Sequence, residues 1–332
     1  MINSPQNLKI LSWNCNSITN KLLEFTDFVK EKNPDIIALQ ETRLKPSLTL
    51  NIPNFTTHRT DRSSYAGGGT AILVRSSLPH HATPLQTSTI EGTAITLERR
   101  NNQAITIISV YKTPRKQFDQ SELHHLFWNR RDVLVVGDLN AKHPTWNPDG
   151  TNRQGTTLYK FTQSNNLKIC APNQPTRFSH RTKNSIIDLC ISKGFDKIHS
   201  ESIPALSSDH NPILFTVHIN DLQKNSNNTF QFTNWTAFQS YLKNLLPGNP
   251  KIFSKQEIDQ AIDNFNNQYN SAINSASKTK IIHDQAYTIP PPLRRKIQLK
   301  NVVRKRWQET RDPRFKTTLN RLNREIQKWL KA

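Results

Sequence analysis

The sequence is poor in cysteine, glycine and acidic side chains. Its three cysteines, Cys15, Cys170 and Cys190, form no CxxC pair, which argues against a disulfide framework and against a zinc ribbon. Only nine of the 332 residues are glycine, and no apolar run is followed by GxGxxG or GxxxxGK[ST]. The phosphate-binding loops of the common nucleotide-binding folds are therefore not expected, and no HExxH motif indicates a zinc protease.

Long apolar segments are also missing. Hydrophobic residues make up 34% of the chain and occur in short dense runs, enough for a buried core. No run approaches the roughly 20 residues of a membrane-spanning helix. The first residues, MINSPQNLKILSWN, lack the basic and long apolar regions of a signal peptide. We therefore expect a soluble, intracellular protein with no membrane partner.

Acidic residues are too few to balance the basic ones. The chain has 45 Lys and Arg against 25 Asp and Glu, a net charge of +20, which favours a polyanionic partner such as DNA or RNA. Residues 1–220 have a net charge of +8, and residues 221–332 have +12 in half the length. This difference predicts a domain at 1–220 and a separate basic segment at 221–332, joined by an asparagine-rich linker at 220–230.

Short apolar runs rich in β-branched residues recur along the first 220 residues. The predicted strands are 8–14, 35–41, 70–75, 93–100, 104–111, 132–140, 185–192 and 211–219. Apolar spacing predicts helices at 21–33 and 158–167. Many strands with few helices favour an α/β fold, a four-layer sandwich of two packed mixed β-sheets flanked by helices. A Rossmann-type unit is the alternative, but no glycine-rich fingerprint supports it.

Polar residues stand at or near the ends of these apolar runs. They are Asn14, Glu41, Asp138 with Asn140, Asp188, and Asp209 with His210. A buried strand fixes its end rigidly, as a metal or catalytic site requires. Carboxylate and amide oxygens suit Mg²⁺, and no cysteine and histidine set indicates zinc. Any one of these residues could belong to an ordinary turn, but five such positions in one chain indicate a site.

The same residues carry a family resemblance. LSWNCNSI (11–18), LQET (39–42), SVY (109–111), GDLNAKHPTWN (137–147), IDLCIS (187–192) and SSDHNP (207–212) resemble the ordered motifs of the endonuclease/exonuclease/phosphatase superfamily. Together with GGGTAILVR (67–75) and QPTR (174–177), they resemble the apurinic-type endonuclease domain of non-LTR retrotransposons, particularly the jockey group. The match covers roughly residues 8–219. The tail is similar to the segment that joins endonuclease to reverse transcriptase in those elements. Because no YxDD motif is present, we expect the front part of a longer polyprotein or a truncated copy.

The resemblance implies a metal site and a phosphate-binding imidazole. Glu41 would be the principal Mg²⁺ ligand, with Asn14 ordering that end of the site and Asp209 as a further carboxylate; Mn²⁺ is a possible substitute. His210 would bind the scissile phosphate, oriented by Asp188, and a carboxylate partner favours the charged ring in any fold.

The resemblance also implies the groups that handle the attacking water. Asp138 would orient or deprotonate the water, Asn140 would hold Asp138 or the phosphate, and Tyr111 would donate its hydroxyl to a phosphate oxygen. Which group takes the proton is left open by the sequence. Each residue also has a simpler interpretation: Tyr111 could fill the sheet, Asp188 could be a turn residue, and Asp209 with His210 could cap a helix.

Three further residues are candidates for nucleic-acid contact. Arg153 and Arg177 could bind phosphates, and His143 could face DNA or make a hydrogen bond within its turn. Trp146 is predicted to be a packing residue. The glycine triplet 67–69 is predicted to form a turn with positive φ, because a strand and not a helix follows it.

The C-terminal region is predicted to be a basic helical extension. Phe315, Leu319, Leu322, Ile326 and Leu330 are spaced by four, three, four and four residues, so that they predict one apolar stripe on a helix. PPPLRRK (290–296) is predicted to be a stiff spacer before it. The helix could pack on a downstream domain, bind phosphate backbones, including element RNA, or do both.

Four functions remain in competition. A Mg²⁺-dependent endonuclease would nick double-stranded DNA, in the nucleus, and leave a 3′-hydroxyl for a reverse transcriptase. A cellular apurinic-site repair nuclease would need inserted elements that probe the duplex, and only 26 residues separate Tyr111 from Asp138. An inositol-phosphate or sphingomyelin phosphatase, or a poly(A) nuclease, is the third, and the net charge of +20 and the GDLNAKHPTWN motif argue against the lipid options. A catalytically silent copy that only binds nucleic acid is the fourth.

Overall fold

A computed structural model describes residues 6–62, 67–99, 103–179, 183–219, 229–245, 248, 251–281 and 289–331 of the chain. The chain folds as two compact units. The first comprises residues 1–224 together with 288–332, and the second comprises residues 225–287. The sequence predicted a boundary near residue 220. Most of the predicted linker lies outside the described residues, and residues 288–332 group with the first unit instead of the second.

Two six-stranded sheets, counted over the described residues, form the centre of the first unit. Their strands in chain order are β1 (Gln6–Asn14), β2 (Ile36–Gln40), β3 (Phe55–Thr60), β4 (Thr70–Arg75), β5 (His80–Thr83), β6 (Ile90–Leu97), β7 (Ile105–Lys112), β8 (Asp132–Asp138), β9 (Lys168–Cys170), β10 (Asp188–Lys193), β11 (Ile198–Ser202) and β12 (Ile213–Ile219). One sheet has the order β11-β12-β1-β2-β4-β3, and the other β5-β6-β7-β8-β10-β9. The pairs β1–β2 and β7–β8 are parallel and the other pairs are antiparallel, so that both sheets are mixed.

Three helices cover the outer faces of the sheets. They are α1 (Leu22–Lys32), α2 (Gln120–Phe127) and α3 (Arg153–Ser164). Apolar residues of the two sheets form one inner core, which includes Ile10 of one sheet and Ile107 and Val136 of the other. A second cluster joins one sheet to α2 and α3, and a third joins the other sheet to α1. The predicted four-layer α/β sandwich is confirmed.

Local chemistry explains where the helices begin and end. The Asn152 side chain accepts a hydrogen bond from the Gly155 N–H, which starts α3 five residues before the predicted helix. α1 ends at Asn33, which has a φ of +48° and is followed by Pro34. The sequence analysis did not predict α2 or the short strands β3, β5, β9 and β11. These four strands lie at the edges of the sheets, and β3 and β5 consist mostly of polar residues, so they lack the apolar pattern of a buried strand.

The second unit consists of two helices and a two-stranded sheet in its described part. These elements are β13 (Thr229–Thr233), α4 (Trp235–Leu245), α5 (Lys255–Ala276) and β14 (Ser277–Ile281). β13 pairs with β14 in antiparallel fashion. Phe238 of α4 packs against Ala272 and Ala276 of α5.

Two long helices of the C-terminal region complete the first unit, α6 (Pro291–Thr310) and α7 (Pro313–Lys331). The predicted stiff spacer at 290–296 is wrong, because Pro291 and Pro292 begin α6, in the first turn where a helix needs no N–H donor. The apolar stripe of α7 is confirmed through Ile326, and the Leu330 side chain lies outside the described ones. Leu319 and Leu322 pack with Trp307 of α6 and with the sandwich residue Phe178. Among the described helices, none has the length and apolar character needed to cross a membrane.

A buried carboxylate of α2 fixes the turn before β6, and it predicts an acid-sensitive contribution to stability. Glu122 accepts hydrogen bonds from the backbone N–H groups of Ser88, Thr89 and Ile90 and from both hydroxyls. Burial opposes the charged form, but the hydrogen bonds from Ser88 and Thr89 lower the pKa of Glu122 to about 2. Glu122→Gln should therefore lower the free energy of unfolding at pH 7 by about 2 kcal/mol, since the amide cannot accept all these bonds.

Urea unfolding at several pH values checks this prediction. A lowered carboxyl pKa adds stability above the unfolded-state value near 4.5 and loses it as pH falls towards 2. The wild type should therefore lose more stability than Glu122→Gln over that range. The exposed Glu309→Gln change on α6 is the control, with an expected effect within about 0.5 kcal/mol. A constant difference between wild type and Glu122→Gln from pH 7 to pH 2 would contradict the assignment.

Candidate active site

The predicted site residues meet where the central strands of the two sheets end. In one sheet, the register places Tyr111 of β7 beside Asp138 of β8, and Asp138 beside Asp188 of β10. In the other, Asn14 ends β1 and Glu41 directly follows β2. Parallel neighbouring strands end at the same edge of a sheet, which brings these side chains together. The Asn14 amide donates to the Asp138 carboxylate at 2.8 Å and so joins the two sheets.

His210 lies between two buried carboxylates. Its Nδ1 is 2.8 Å and 3.0 Å from the two oxygens of Asp188, and its Nε2 is 3.7 Å from Oδ2 of Asp138. Burial disfavours the charged ring, but Asp188 and then Asp138 outweigh it and raise the pKa of His210 to about 9. The imidazole is therefore a cation at neutral pH.

Asp138 is the most enclosed carboxylate of the cluster, with 1% of the residue exposed. Burial raises its pKa to about 7, and Asp188 adds to this effect, whereas His210 and the hydrogen bonds from Asn14 and Asn140 oppose it. A carboxylate with a pKa near neutrality can take up and release a proton at physiological pH. Asp138 is therefore chemically suited to accept a proton from water.

Asn140 contacts Asp138 through its backbone. Its N–H donates to Oδ1 of Asp138 at 3.0 Å, while its side-chain amide donates to the Lys112 carbonyl at 3.0 Å. Its φ of +47° lies in the left-handed region, which asparagine tolerates better than most residues. Asn140 thus holds Asp138 in the structure, and phosphate contact by its side chain stays a prediction.

Glu41 is held by polar neighbours at a strained backbone position. Its φ is +49°, unusual for a residue with a long side chain, and such strain concentrates at functional sites. Asn14 donates to Oε1 of Glu41 at 2.9 Å, and Arg43 pairs with Oε2 at 3.2 Å. The Asn14 oxygen accepts the Asn16 N–H at 3.1 Å. Asn14 therefore presents its nitrogen to the carboxylates, which favours an ordering role over direct metal ligation.

The Tyr111 hydroxyl faces Glu41. Burial raises the pKa of Tyr111 well above its usual value, and the charges of Glu41 and Asp138 and a hydrogen bond with Glu41 add to the effect. The phenol therefore keeps its proton at neutral pH and can donate a hydrogen bond. Arg62 lies over the ring, 5.9 Å from its centre.

Asp209 stays ionised beside an arginine. Its Oδ2 is 3.2 Å from Arg177 Nε, and its Oδ1 accepts a hydrogen bond from Asn16 Nδ2 at 3.4 Å and lies 3.4 Å from Ser208 Oγ. Burial opposes the charge, but His210 and Arg177 lower the pKa of Asp209 below its usual value. Asn16 also donates its backbone N–H to Asn14, so that hydrogen bonds connect Asp209 to the rest of the site.

Several side chains of the site are candidate metal ligands. Asp138, Asp188 and His210 offer ligand atoms within 4.8 Å of one another. These three side chains are buried, however, and leave little access for the water that Mg²⁺ keeps. The Glu41 and Asp209 side chains are 18% and 35% exposed and offer oxygen atoms. Their chemistry fits a hydrated hard cation better.

The glycine triplet shapes the loop that carries Glu41. Gly67, Gly68 and Gly69 have φ values of +96°, +70° and +84°, so that the predicted turn is confirmed. The carbonyls of Gly69 and Gly68 accept the N–H groups of Thr42 and Arg43 at 3.2 Å and 2.9 Å. A Cβ at Gly69 would lie only 2.7 Å from Oγ1 of Thr42. The triplet therefore acts on the site through the backbone next to Glu41.

The three predicted nucleic-acid contacts have different surroundings. The His143 ring stacks on Tyr159 at 4.2 Å and lies 2.8 Å from the Thr145 hydroxyl, which is the hydrogen bond within its turn that the sequence allowed. Arg153 is exposed at the start of α3, and Arg177 pairs with Asp209. Their contact with nucleic acid stays a prediction. Trp146 is 6% exposed in the outer core, so its packing role is confirmed.

Sequence reasoning missed two hydroxyls that position the site. Thr176 Oγ1 donates to Asp188 Oδ2 at 2.6 Å. Ser208 Oγ donates to the Asn14 carbonyl at 2.8 Å and accepts the His210 N–H at 3.2 Å. Thr176 lies in the QPTR motif and Ser208 in the SSDHNP motif. Their closeness in sequence to Arg177 and Asp209 could have indicated a role in the site.

The chain is similar to several known proteins. Residues 105–214 match the family described as endonuclease-reverse transcriptase. The chain is 31% identical over 328 residues to a probable RNA-directed DNA polymerase from transposon X-element of Drosophila melanogaster, covering 95% of this chain and 36% of that protein. It is 26% identical over 335 residues to the RNA-directed DNA polymerase from mobile element jockey of Drosophila funebris, covering 97% and 36%. The chain thus spans about a third of the length of these relatives.

A solved structure shares the fold of the sandwich. The endonuclease domain of TRAS1, a telomere-specific non-LTR retrotransposon, superimposes with a TM-score of 0.54 at 20% identity. The match covers 66% of this chain and 100% of that domain. At this identity the likeness establishes the fold alone.

Proposed function

We propose that this chain belongs to the endonuclease/exonuclease/phosphatase superfamily and is the endonuclease part of a non-LTR retrotransposon polyprotein. It hydrolyses a phosphodiester of double-stranded DNA and leaves a nick. The observation that carries the proposal is the buried cluster of Asp138, Asp188 and His210, with the imidazole held between two carboxylates. This cluster can accept a proton on one side and stabilise phosphate charge on the other.

The mechanism assigns the proton and the charge to separate groups. Asp138 accepts the proton of a water whose oxygen forms the new bond to phosphorus, on the side opposite the leaving oxygen. The bond from phosphorus to the 3′ oxygen breaks, and that oxygen takes a proton from solvent to become a 3′-hydroxyl. His210, charged because of Asp188, stabilises the phosphate oxygens. Tyr111 donates a hydrogen bond to the same group once its hydroxyl leaves Glu41.

The metal of the proposal is Mg²⁺, for which Mn²⁺ could substitute. Glu41 and Asp209 would hold it, with Asn14 keeping Glu41 in place. When bound, the ion supplies positive charge to the phosphate oxygens, as a Lewis acid does. Without a cation, the carboxylates of Glu41 and Asp209 would repel the substrate phosphate, which explains why the protein needs a cation here.

The proposed partners are double-stranded DNA and, through the exposed basic side chains of α6 and α7, element RNA. DNA cleavage for insertion would take place in the nucleus. His143, Arg153 and Arg177 are the proposed DNA contacts nearest the motifs, with Arg177 exchanging Asp209 for a phosphate when Asp209 binds metal.

Nicking of supercoiled plasmid by the full chain tests the proposal. With Mg²⁺ the wild type should convert supercoiled to open-circular DNA, and EDTA should stop the conversion. Glu41→Gln and Asp209→Ala should each lower the rate by about 10- to 100-fold, less so as the Mg²⁺ concentration rises. Glu31→Gln on α1, a 68% exposed carboxylate, is the matched control and should nick as the wild type does.

Two outcomes would count against the proposal. Salt-dependent plasmid binding by a folded wild type that never nicks would favour a silent nucleic-acid-binding copy. A strong preference for a duplex with one abasic site over the intact duplex would favour the repair nuclease instead.

A further inference from the structure

The loop that carries Asp209 and His210 begins at a strained position. Leu206, directly before it, has a φ of +62°, although it is a bulky and buried residue. Such a conformation persists only where the surroundings hold it. Residues of α6 and α7 contact both ends of this loop.

Two buried residues of α6 hold the end of this loop. Arg304 donates to the Asn211 side-chain oxygen at 3.0 Å and 3.3 Å through two nitrogens and to the His210 carbonyl at 3.4 Å. Gln308 donates to the same Asn211 oxygen at 2.8 Å. Arg304 is 5% exposed and Gln308 is 9% exposed, so water competes little for these bonds.

The start of the loop is held by a buried ion pair. Lys300 of α6, which is fully buried, pairs with Glu24 of α1 and donates to the Ser207 hydroxyl at 3.3 Å. The Ser207 hydroxyl in turn donates to Glu24 at 3.0 Å, and its oxygen lies 3.3 Å from Oδ1 of Asn323 on α7. Separating a buried ion pair would leave an uncompensated charge inside the protein, so Lys300 and Glu24 hold the start of the loop firmly.

Hydrogen bonds connect Asn211 to the charged cluster. The Asn211 N–H donates to the Thr176 carbonyl at 2.7 Å, and the Thr176 hydroxyl donates to Asp188. Asp188 holds the His210 ring. A displacement of Asn211 would therefore reach the imidazole along two routes, through the backbone and through Thr176.

The same helices form one wall of the space beside Asp209. A cavity of about 240 Å³ is lined by Asn16, Lys21 and Asp209 on the sandwich side and by Trp307 and Lys316 on the helical side. Lys316 lies over the Trp307 ring at 4.4 Å. α6 and α7 thus border the site, although 71 residues separate the start of α6 from the last sandwich strand.

We propose that Arg304 and Gln308 are positioning residues of the active site: from outside the sandwich they fix the loop that carries Asp209 and His210. This inference rests on the proposed nuclease function for its kinetic readout. It predicts that the basic C-terminal helices act on the rate of cleavage, and not only on DNA affinity through their charge.

The test compares three variants of the full chain. Arg304→Met and Gln308→Leu remove the contacts to Asn211, and Gln308→Leu changes no charge. Lys305→Met, at an exposed position of the same helix, makes the same change of charge as Arg304→Met. Single-turnover nicking rates and DNA dissociation constants are measured at several salt concentrations, together with thermal unfolding to show that each variant is folded.

We expect Arg304→Met and Gln308→Leu to lower the single-turnover rate by about 10- to 100-fold with little change in DNA affinity for Gln308→Leu. Lys305→Met should lower affinity in a salt-dependent way and leave the rate unchanged. The imidazole N–H proton signal of His210, identified by its loss in His210→Ala, should move in both contact variants and stay in place in Lys305→Met.

Wild-type rates and an unmoved His210 signal in folded Arg304→Met and Gln308→Leu would overturn the inference. So would a loss confined to DNA affinity and equal to that of Lys305→Met. If the wild type does not nick at all, the proposed function fails, and the His210 signal still decides whether these residues hold the loop.

Discussion

Asp188→Asn should slow the nicking of duplex DNA by about 10²- to 10⁴-fold without unfolding the protein. Asp188 touches no reacting atom in the proposed mechanism. It holds the His210 ring with both oxygens, at 2.8 Å and 3.0 Å, and it also accepts the Thr176 hydroxyl at 2.6 Å. Asparagine has one acceptor oxygen and no charge. The imidazole of His210 is therefore held less firmly, and its charged form is less favoured.

Asp188→Asn should also change how the nicking rate depends on pH. Asp188 is the main group that raises the pKa of His210 to about 9, against the effect of burial. In the wild type the proposed active imidazolium is present below that pH and is lost above it. Because removal of an anionic neighbour lowers a histidine pKa, the alkaline limb of the rate profile should move to lower pH in Asp188→Asn.

Single-turnover rates between pH 6 and pH 10, at saturating Mg²⁺, measure both effects. Asp196→Asn is the matched control, since Asp196 lies just beyond the other end of β10, where it pairs with Lys168 on the surface. An Asp188→Asn variant with the wild-type rate and an unmoved alkaline limb would show that His210 does not act as a cation held by Asp188.

The sandwich and the meeting of the charged residues could be predicted because the sequence encodes them locally. β-branched runs give the strands, and a residue at or next to the end of a run is placed by the strand itself. Asn14, Glu41, Asp138 and Asp188 therefore come together once the strand order is known. The motif resemblance supplied the expected fold, and the structure gives the strand order.

The rest of the site depends on packing that no local pattern expresses. Arg304 is one of 14 basic residues between residues 294 and 331, and composition marks it as a surface charge. Only the docking of α6 on the sandwich buries it against Asn211. The spacer predicted at 290–296 is wrong for a related reason. Consecutive prolines can begin a helix or form a stiff spacer, and the residues that follow decide which of the two forms.

Asp138→Asn should lower the nicking rate by about 10²- to 10⁴-fold and also remove the acidic limb of the pH profile. Burial raises the pKa of Asp138 to about 7, with Asp188 adding to the effect. Only the ionised carboxylate can take the proton of the attacking water, so the wild-type rate should rise through about pH 7. Asparagine cannot take that proton at any pH.

The residual activity of Asp138→Asn distinguishes a proton acceptor from a structural residue. If Asp138 accepts the proton, the remaining reaction depends on hydroxide from solvent, and its rate should keep rising with pH until His210 loses its charge. Asp132→Asn, at the opposite end of β8, is the control and should keep the acidic limb. A variant that is slower but retains a limb near pH 7 would place the proton acceptor elsewhere, and would leave Asp138 with the task of holding Asn14 and His210 between the two sheets.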